Sequence, residues 1–299
     1  MNIKDLEYLL AVYDEGGFNK AALKLNTSQP AISMALQRLE TELQATLIER
    51  TTRVIKFTEA GMLIVEQARI ILGEIRSLKE IALTNDSDAQ KIHIGITESL
   101  ASYIYKELLV CLSSFKKMKF VFHEISKNKT LNYLDEHLLS CVISPCDRVL
   151  RNHEKIHIAN EPFVLMTNKD AISKKIDFIS PEYLKDKSIL YINENADLDR
   201  ALNKYLNNHD LKINDDIMLK TIHMIKNVIE QEGGMAILPK ISACAISENK
   251  TLCIPLGPEK VGRSIQLIYK KNDPKRILYA KICELIKPVI EEVIKNPNE

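Results

Sequence analysis

Gln29, Ser33 and Gln37 step by four, which puts them on one polar face of a helix. A glutamine amide both donates and accepts, so Gln29 can pair in a bidentate way with an adenine edge. The hydroxyls of Thr27 and Ser33 can donate to phosphate oxygens, and free N–H groups at a helix start add to this. Ser28 is a good N-cap for that helix, and Pro30 sits in its first turn, where its missing N–H costs nothing. The chemistry these residues suit is recognition of duplex DNA in the major groove. Taken alone, they equally make an ordinary solvated helix face.

Other candidates compete. Thr97 and Ser99 follow an apolar run, Ile92–Ile96, and precede a helical stretch. Hydroxyls and free N–H groups there suit an anionic or carboxylate-bearing ligand, and simple N-capping is compatible with that role. His153 and His157 form an HxxxH pair that could hold zinc on a helix, but Ile156 and Ile158 suggest a strand or loop with no third ligand nearby. Cys141 and Cys146 could be a redox pair, although core or surface thiols explain them better. The lysines 116, 117, 119, 127 and 129 read as a solvated edge at strand ends.

The elements that must position these residues follow from periodicity. Ile3, Leu6, Leu9, Leu10 and Tyr13 predict a first helix ended by Gly16-Gly17. Phe18, Ala21, Ala22 and Leu25 mark a second. Ile32, Leu36, Leu39 and Leu43 give the third a buried face opposite Gln29. Thr46 to Thr58 suits a small hairpin carrying Arg50, Arg53 and Lys56. A long helix over 59–82 has a heptad seam of Ile64, Ala68, Ile71, Ile75, Leu78 and Ala82, expected to be buried between two chains, the alternative being a helix docked on its own domain. Thr84 to Asp88 is a polar linker. Beyond it, strands are predicted at Ile92–Ile96, Lys119–Ile125, Cys141–Ser144, Phe163–Thr167, Ser188–Ile192, Ile217–Lys220, Met235–Leu238 and Arg263–Lys271. Helical stretches lie between most of them, which argues for largely parallel sheets. Pro274 to Lys295 reads as a helix with a possible break at Pro288.

The run from Phe18 to Ser33, continued by Leu39-Glu40, Leu43, Leu47, Glu49-Arg50, Arg53 and Phe57 to Gly61, resembles the helix-turn-helix of LysR-type transcriptional regulators. Gln44 stands where that family has a glycine, and Ile48 where it has an aromatic residue. The second half resembles the family's effector-binding domain, through Ile92–Ser99 and through Thr221 to Ile229 with Gly233 to Pro239. Glu232 replaces one glycine there, and Ser140 an aspartate. The resemblance implies an α/β protein with an N-terminal all-α winged helix-turn-helix, a long linker helix and a C-terminal effector domain of two α/β subdomains resembling periplasmic binding proteins. The expected limits are 1–58 for the head, 59–84 for the linker helix, 85–90 for a hinge and 91–299 for the effector domain. The last divides into 91–161 plus 268–299, and 162–267.

By the same resemblance, Arg53 lies at the wing and reaches the minor groove or the DNA backbone. Arg50 either touches DNA or pairs with an acid to hold the wing. Ser126 and Thr221 fall in a cleft between the two subdomains, with Thr97 and Ser99. The family's peroxide-sensing branch carries its cysteines near 193–206, and this sequence has none there. The implied partners are double-stranded promoter DNA, a polar or anionic small-molecule effector and further copies of the chain, as a dimer or tetramer.

Composition sets the outer limits. The 299 residues carry 41 Lys+Arg and 40 Asp+Glu, which excludes a histone-like binder and an acidic solvating chain. Residues 1–90 hold 10 Lys+Arg against 13 Asp+Glu, so non-specific affinity for DNA should be modest and two half-sites are needed for tight binding. Six scattered cysteines, no signal-peptide pattern and no long uncharged apolar stretch point to a cytoplasmic protein with no membrane span. A solute-binding protein and an enzyme are the rival classes. The first lacks its signal peptide. The second lacks a Walker loop, GxSxG, HExxH or GxGxxG after a strand, so no catalytic residue, metal or cofactor is expected.

Overall fold

The structure is a computed structural model that describes residues 1–50, 55–83, 90–116, 118–145, 151–172, 176–190, 200–213, 219, 221–247, 250–257 and 261–296. It divides into two compact units, residues 1–89 with 131–139, and residues 90–130 with 140–299.

In the first unit, α1 (Ile3–Glu15) opens with a reciprocal cap. Asp5 N–H donates to Asn2 Oδ1 and Asn2 N–H donates to Asp5 Oδ2, both at 2.9 Å. Gly16 ends the helix at φ 65°, where a side chain is disfavoured. After α2 (Phe18–Lys24), Ser28 starts α3 (Gln29–Leu43) by accepting from Ala31 N–H at 3.3 Å. The α3 terminus closes with Gln44 in the left-handed region, φ 50°. Gln44 N–H donates to Thr41 O and Ala45 N–H to Glu40 O, so the glycine's turn is kept without the glycine. The strain is on the order of 1 kcal/mol. Strands β1 (Ile48–Arg50) and β2 (Ile55–Phe57) form an antiparallel hairpin.

Thr58 then starts α4 (Glu59–Leu83): its Oγ1 accepts from Gly61 N–H at 2.9 Å and donates to Thr46 O at 2.7 Å. Leu6, Leu9, Ile32, Leu36, Leu39, Leu47, Val65 and Ala68 share one core. This corrects the expected seam. Ala68 is 1% exposed and Ile64 packs on the same core, because α4 turns that side towards α1. Ile75 is half-buried, while Ile71 and Leu78 stay 41% and 70% exposed and present apolar surface. Nothing is described of the Ala82 side chain. Residues 131–139 close on the other side of α4. Gly73 lies so near the Asp135 carbonyl that a Cβ would overlap it.

The second unit begins with β3 (Gln90–Thr97), α5 (Glu98–Leu112) and β4 (Met118–Ile125), then a 3-10 turn at Lys127–Lys129 and α6 (Thr130–Asp135), whose residues from Leu131 belong to the first unit. Strand β5 (Cys141–Pro145) leads to the long β6 (His153–Asn168). There follow α7 (Pro181–Leu184), β7 (Ile189–Leu190), α8 (Arg200–Asn208), α9 (Ile222–Glu232), β8 (Met235–Pro239), α10 (Lys240–Ile246), β9 (Thr251–Pro255), β10 (Gly262–Lys270) and α11 (Arg276–Lys295). The strand order is β4-β3-β5-β10-β6-β8-β7, with β9 also on β6.

Ile92, Ile94 and Ile96 alternate onto a core shared with Leu100, Ile104 and Leu108 of α5 and Ile282, Ile286 and Ile290 of α11. The second subdomain has a core on each face of its sheet, around Leu165 and Ile237 on one side and Met166 and Leu238 on the other. α11 continues through Pro288. The sheet is mixed, not largely parallel: β3 runs parallel to β4 and β5, and β7 to β8, but β6 and β10 run antiparallel to all their neighbours. The sequence places β10 within one residue, at Arg263–Lys271, but marks only Phe163–Thr167 of the long β6, gives neither strand's antiparallel direction and does not show β9. The expected strand Ile217–Lys220 lies outside the described residues except for Leu219.

The subdomains meet where β6 and β10 cross side by side. The first half of β6 pairs with β10, from His153↔Lys270 to Pro162↔Gly262, and the second half pairs with β8 and β9. Phe163 N–H still donates to Val261 O at 2.8 Å. The chain therefore returns to the first subdomain before Gly262, not at 268 as expected, because β10 is hydrogen-bonded within that subdomain along its whole length.

Two outcomes follow. A methyl added at Gly61 would overlap the Leu47 carbonyl oxygen, with backbone on both sides and nothing flexible to yield. Gly61→Ala should lower stability by about 1–3 kcal/mol, read from urea unfolding of the full chain; an unchanged midpoint would show that the helix start shifts freely. Asp5 is buried, which by itself would raise its carboxyl, but hydrogen bonds from Arg38 and from Asn2 N–H outweigh burial and hold it below its ordinary value. A lowered acid stabilises above its unfolded value and loses that contribution as pH falls through the folded one. The stability gap between the parent and Asp5→Asn should therefore narrow as pH drops below about 4, measured by urea midpoints across that range. A gap independent of pH would remove the ionic role of Asp5.

Candidate nucleic-acid interface and effector crevice

The buried face of α3 is Ile32, Ala35, Leu36 and Leu39. Helical geometry then sends Ser28, Gln29, Pro30 and Gln37 outward, and all four are exposed. Thr27 and Ser33 are half-buried, and Thr27 borders a shallow groove with Asn19, Ala22, Leu23 and Asn26. The short polar groups thus stand at the start of a fixed helix, where its N-terminal dipole favours an anion. Arg50 lies in β1, opposite Ile55, and nothing is described of its side chain. Arg53 lies outside the described residues.

Three charged residues set the pose of that helix. Arg38 of α3 pairs with Asp5 of α1. Glu40 Oε1 accepts from Leu47 N–H at 2.7 Å and Ile48 N–H at 3.1 Å, which ties the end of α3 to the hairpin. Arg69 of α4 is 5% exposed, pairs with both Asp14 and Glu136, and lies 5.9 Å above the Tyr13 ring. The Tyr13 ring in turn stands edge-on to Phe57, with centroids 5.1 Å apart. Asp5 and Arg69 were not singled out in the sequence, because a charged residue on a helix ordinarily marks its wet face.

In the second unit, the parallel strands β4 and β5 flank β3 on opposite sides. The crossover after β3 leads to one side and the crossover after β4 to the other, so the carboxyl end of β3 lies at a switch in strand order, the place where α/β sheets form a ligand-binding crevice. Thr97 ends β3 at the position before α5, without capping it through its hydroxyl, Ser99 lies in the first turn of α5, and Ser126 follows Ile125, the partner of Thr97 in β4. The structure thus brings three of the four expected residues together. Thr221 stands apart from them in the second subdomain, exposed, its Oγ1 capping α9 by accepting from Met224 N–H at 3.2 Å.

Thr97 is 2% and Ser144 1% exposed, and their hydroxyl oxygens have no hydrogen-bond partner among the described residues. A buried hydroxyl without a protein partner is the mark of a site completed by a water or a ligand.

Sequence reasoning missed the charged core beside this crevice. Arg263 Nε donates to Glu161 Oε2 at 2.8 Å, Arg263 Nη1 donates to Ser99 Oγ at 3.1 Å, and Ile241 N–H donates to Glu161 Oε1 at 2.8 Å. Their signal was a charge at each end of an apolar strand run, which reads as exposed.

The competing sites dissolve. His153 and His157 lie on one strand, four residues and about 13 Å apart, too far to share a metal. Cys141 is wholly buried in the first-subdomain core and burial pushes its thiol up, while Cys146 lies outside the described residues. No described helix is long and apolar enough to cross a membrane.

Comparison with known proteins agrees with this arrangement. The family model for bacterial regulatory helix-turn-helix proteins of the lysR family matches residues 3–62, and that for the LysR substrate binding domain matches residues 85–288. A hydrogen peroxide-inducible genes activator of Pectobacterium carotovorum is 27% identical over 290 residues, 96% of each chain. The DNA-binding transcriptional dual regulator OxyR of Escherichia coli is 28% identical over 293 residues, 96% of this chain and 95% of that one. Among solved structures, oxidized Corynebacterium glutamicum OxyR shares the fold at a TM-score of 0.59 and 19% identity, covering 99% of this chain and 94% of that one. Full-length CbnR complexed with its target DNA does so at 0.55 and 20%, covering 95% and 99%. From its capped recognition helix to the crevice at the end of β3, this chain belongs to the LysR family of DNA-binding transcriptional regulators.

Proposed function

We propose that this chain acts as a dimer or tetramer that reads a promoter through α3 and changes its grip when a small polar or anionic effector enters the crevice at the carboxyl end of β3. The observation that carries the reading is the exposure of Gln29 in the first turn of a helix pinned by Asp5, Glu40 and a buried apolar face. Thr97, Ser99 and Ser126 supply hydroxyls on one side of the effector site, and Thr221 approaches from the second subdomain on closure. Arg50 and Arg53 serve the wing. Coupling requires that the effector bind one arrangement of the subdomains better than the other. The protein works by binding and carries out no turnover, in the cytoplasm.

The Pectobacterium carotovorum relative named above is an activator of hydrogen peroxide-inducible genes. The stretch where the peroxide-sensing branch carries its cysteines has none here, since no cysteine lies between Cys146 and Cys244. A non-covalent effector is therefore the better reading for this crevice.

Gln29 and Arg53 should fail differently. Gln29→Ala should relax preference at one base pair per half-site, worth about 1–3 kcal/mol, and leave the salt slope nearly unchanged. Arg53→Ala should weaken binding to many sequences and flatten the salt slope by about one unit per lost phosphate contact. Binding isotherms on a selected operator and its single-base variants at several salt concentrations separate the two. Equal loss on every sequence for Gln29→Ala, with a flatter slope, would end its role as a base reader. Ile71→Glu should place a charge in the exposed apolar stripe of α4 and halve the mass seen by light scattering at micromolar concentration; an unchanged mass would mean that α4 does not hold the dimer.

A further inference from the structure

Met34 is a large apolar side chain left 68% exposed in the middle of α3. At about 100° per residue, Pro30, Met34 and Gln37 stand opposite the buried Ile32, Ala35, Leu36 and Leu39, with Gln29 and Ser33 to one side. Pro30 and Gln37 are exposed with it. Their neighbours on the helix are already engaged. Arg38 pairs with Asp5, and Thr41 Oγ1 donates to Gln37 O at 2.8 Å, within the helix's own backbone. Past the first turn, the outward line of α3 therefore offers Met34 and the amide of Gln37. A single exposed apolar residue is ordinary on a protein surface. Met34 differs by its place, between the polar groups of the first turn and Gln37.

We propose, resting on the promoter-reading role of α3, that Met34 selects a thymine in each half-site by packing against its C5-methyl group. Base edges in the major groove present donors, acceptors and one apolar group, the thymine methyl. A thioether chain has no strong donor or acceptor, so against the edge of guanine, adenine or cytosine it displaces water and returns no hydrogen bond. Against a methyl it loses nothing, and both groups leave water. Its unbranched chain with three rotatable bonds adjusts to the depth of the methyl in the groove. The helix thus carries two kinds of reader on neighbouring positions: amides for hydrogen-bonding edges and one apolar tip for a methyl.

The test uses the full chain and the operator it selects from random duplexes. Each thymine is replaced in turn, in both half-sites, by deoxyuridine, which keeps the donors and acceptors of the base and removes only the methyl. For the parent, at least one such replacement should weaken binding about three- to fivefold per half-site. That penalty should vanish in Met34→Ala and persist in Met34→Leu, whose side chain is still apolar. Both variants should keep the urea midpoint of the parent, because Met34 is exposed. With a guanine–cytosine pair at the same position, 5-methylcytosine should bind the parent more tightly than cytosine and bind Met34→Ala no better. A parent indifferent to deoxyuridine at every position, or penalties of unchanged size in Met34→Ala, would overturn the methyl contact. If Gln29→Ala still relaxed one base pair in that case, the promoter-reading role of α3 would stand without it. A parent that selects no sequence would end both. A Met34→Ala chain of half the parent's mass in light scattering would place Met34 between copies of the chain and overturn the proposal.

Discussion

Glu161 and Arg263 are both buried, 0% and 4% exposed, at the place where β6 leaves β10 and passes into the second subdomain. Burying either charge alone would cost several kcal/mol, and removing one partner of such a pair typically costs about 3–5 kcal/mol. The pair is tolerable only because every side of Glu161 is answered: a guanidinium N–H on one oxygen and the first-turn N–H of α10 on the other. Gly262 makes the approach possible, since a Cβ there would overlap the Glu161 carbonyl. The position of α10, the register of β6 on β10 and the hold on Ser99 all follow from this one buried contact.

The first unit solves a similar problem with Arg69. Its guanidinium is shared between Asp14 of α1 and Glu136 of the segment 131–139, and Arg76 adds a hydrogen bond to the Glu136 carbonyl. A planar group with five donors can serve several acceptors at once, which a lysine ammonium does less well. The linker helix is thereby fixed to the helix that supports the DNA-reading face. Any shift of α4 along its axis has to break a charged bond on one side or the other.

The head was legible in the sequence because its signals are local. Ser28, Pro30 and the spacing of Ile32, Leu36 and Leu39 each act within one or two turns, and the helix follows them. Gln44 shows the limit of such reasoning: a glycine was the expected residue, yet the surrounding hydrogen bonds hold a glutamine in the same left-handed conformation. The carboxyl end of β3 was legible for the same local reason, since a strand that ends in Thr97 before a helix exposes N–H groups there. What depends on distant residues was not. Arg263 and Glu161 are 102 positions apart, and neither announces that it is buried. Ala68 fits a heptad seam as well as it fits a core, and only the presence of α1 decides between them.

Where β6 passes from one subdomain to the other it stays hydrogen-bonded to the start of β10, through Pro162↔Gly262 and from Phe163 to Val261. A single connecting strand would be a swivel, free to turn about its own bonds. Two bonded strands behave as a leaf hinge: bending across the ribbon is soft, whereas twisting and sliding must tear the ladder. The subdomains therefore have one easy degree of freedom, an opening and closing along a fixed arc. Whatever enters between them is measured by its thickness.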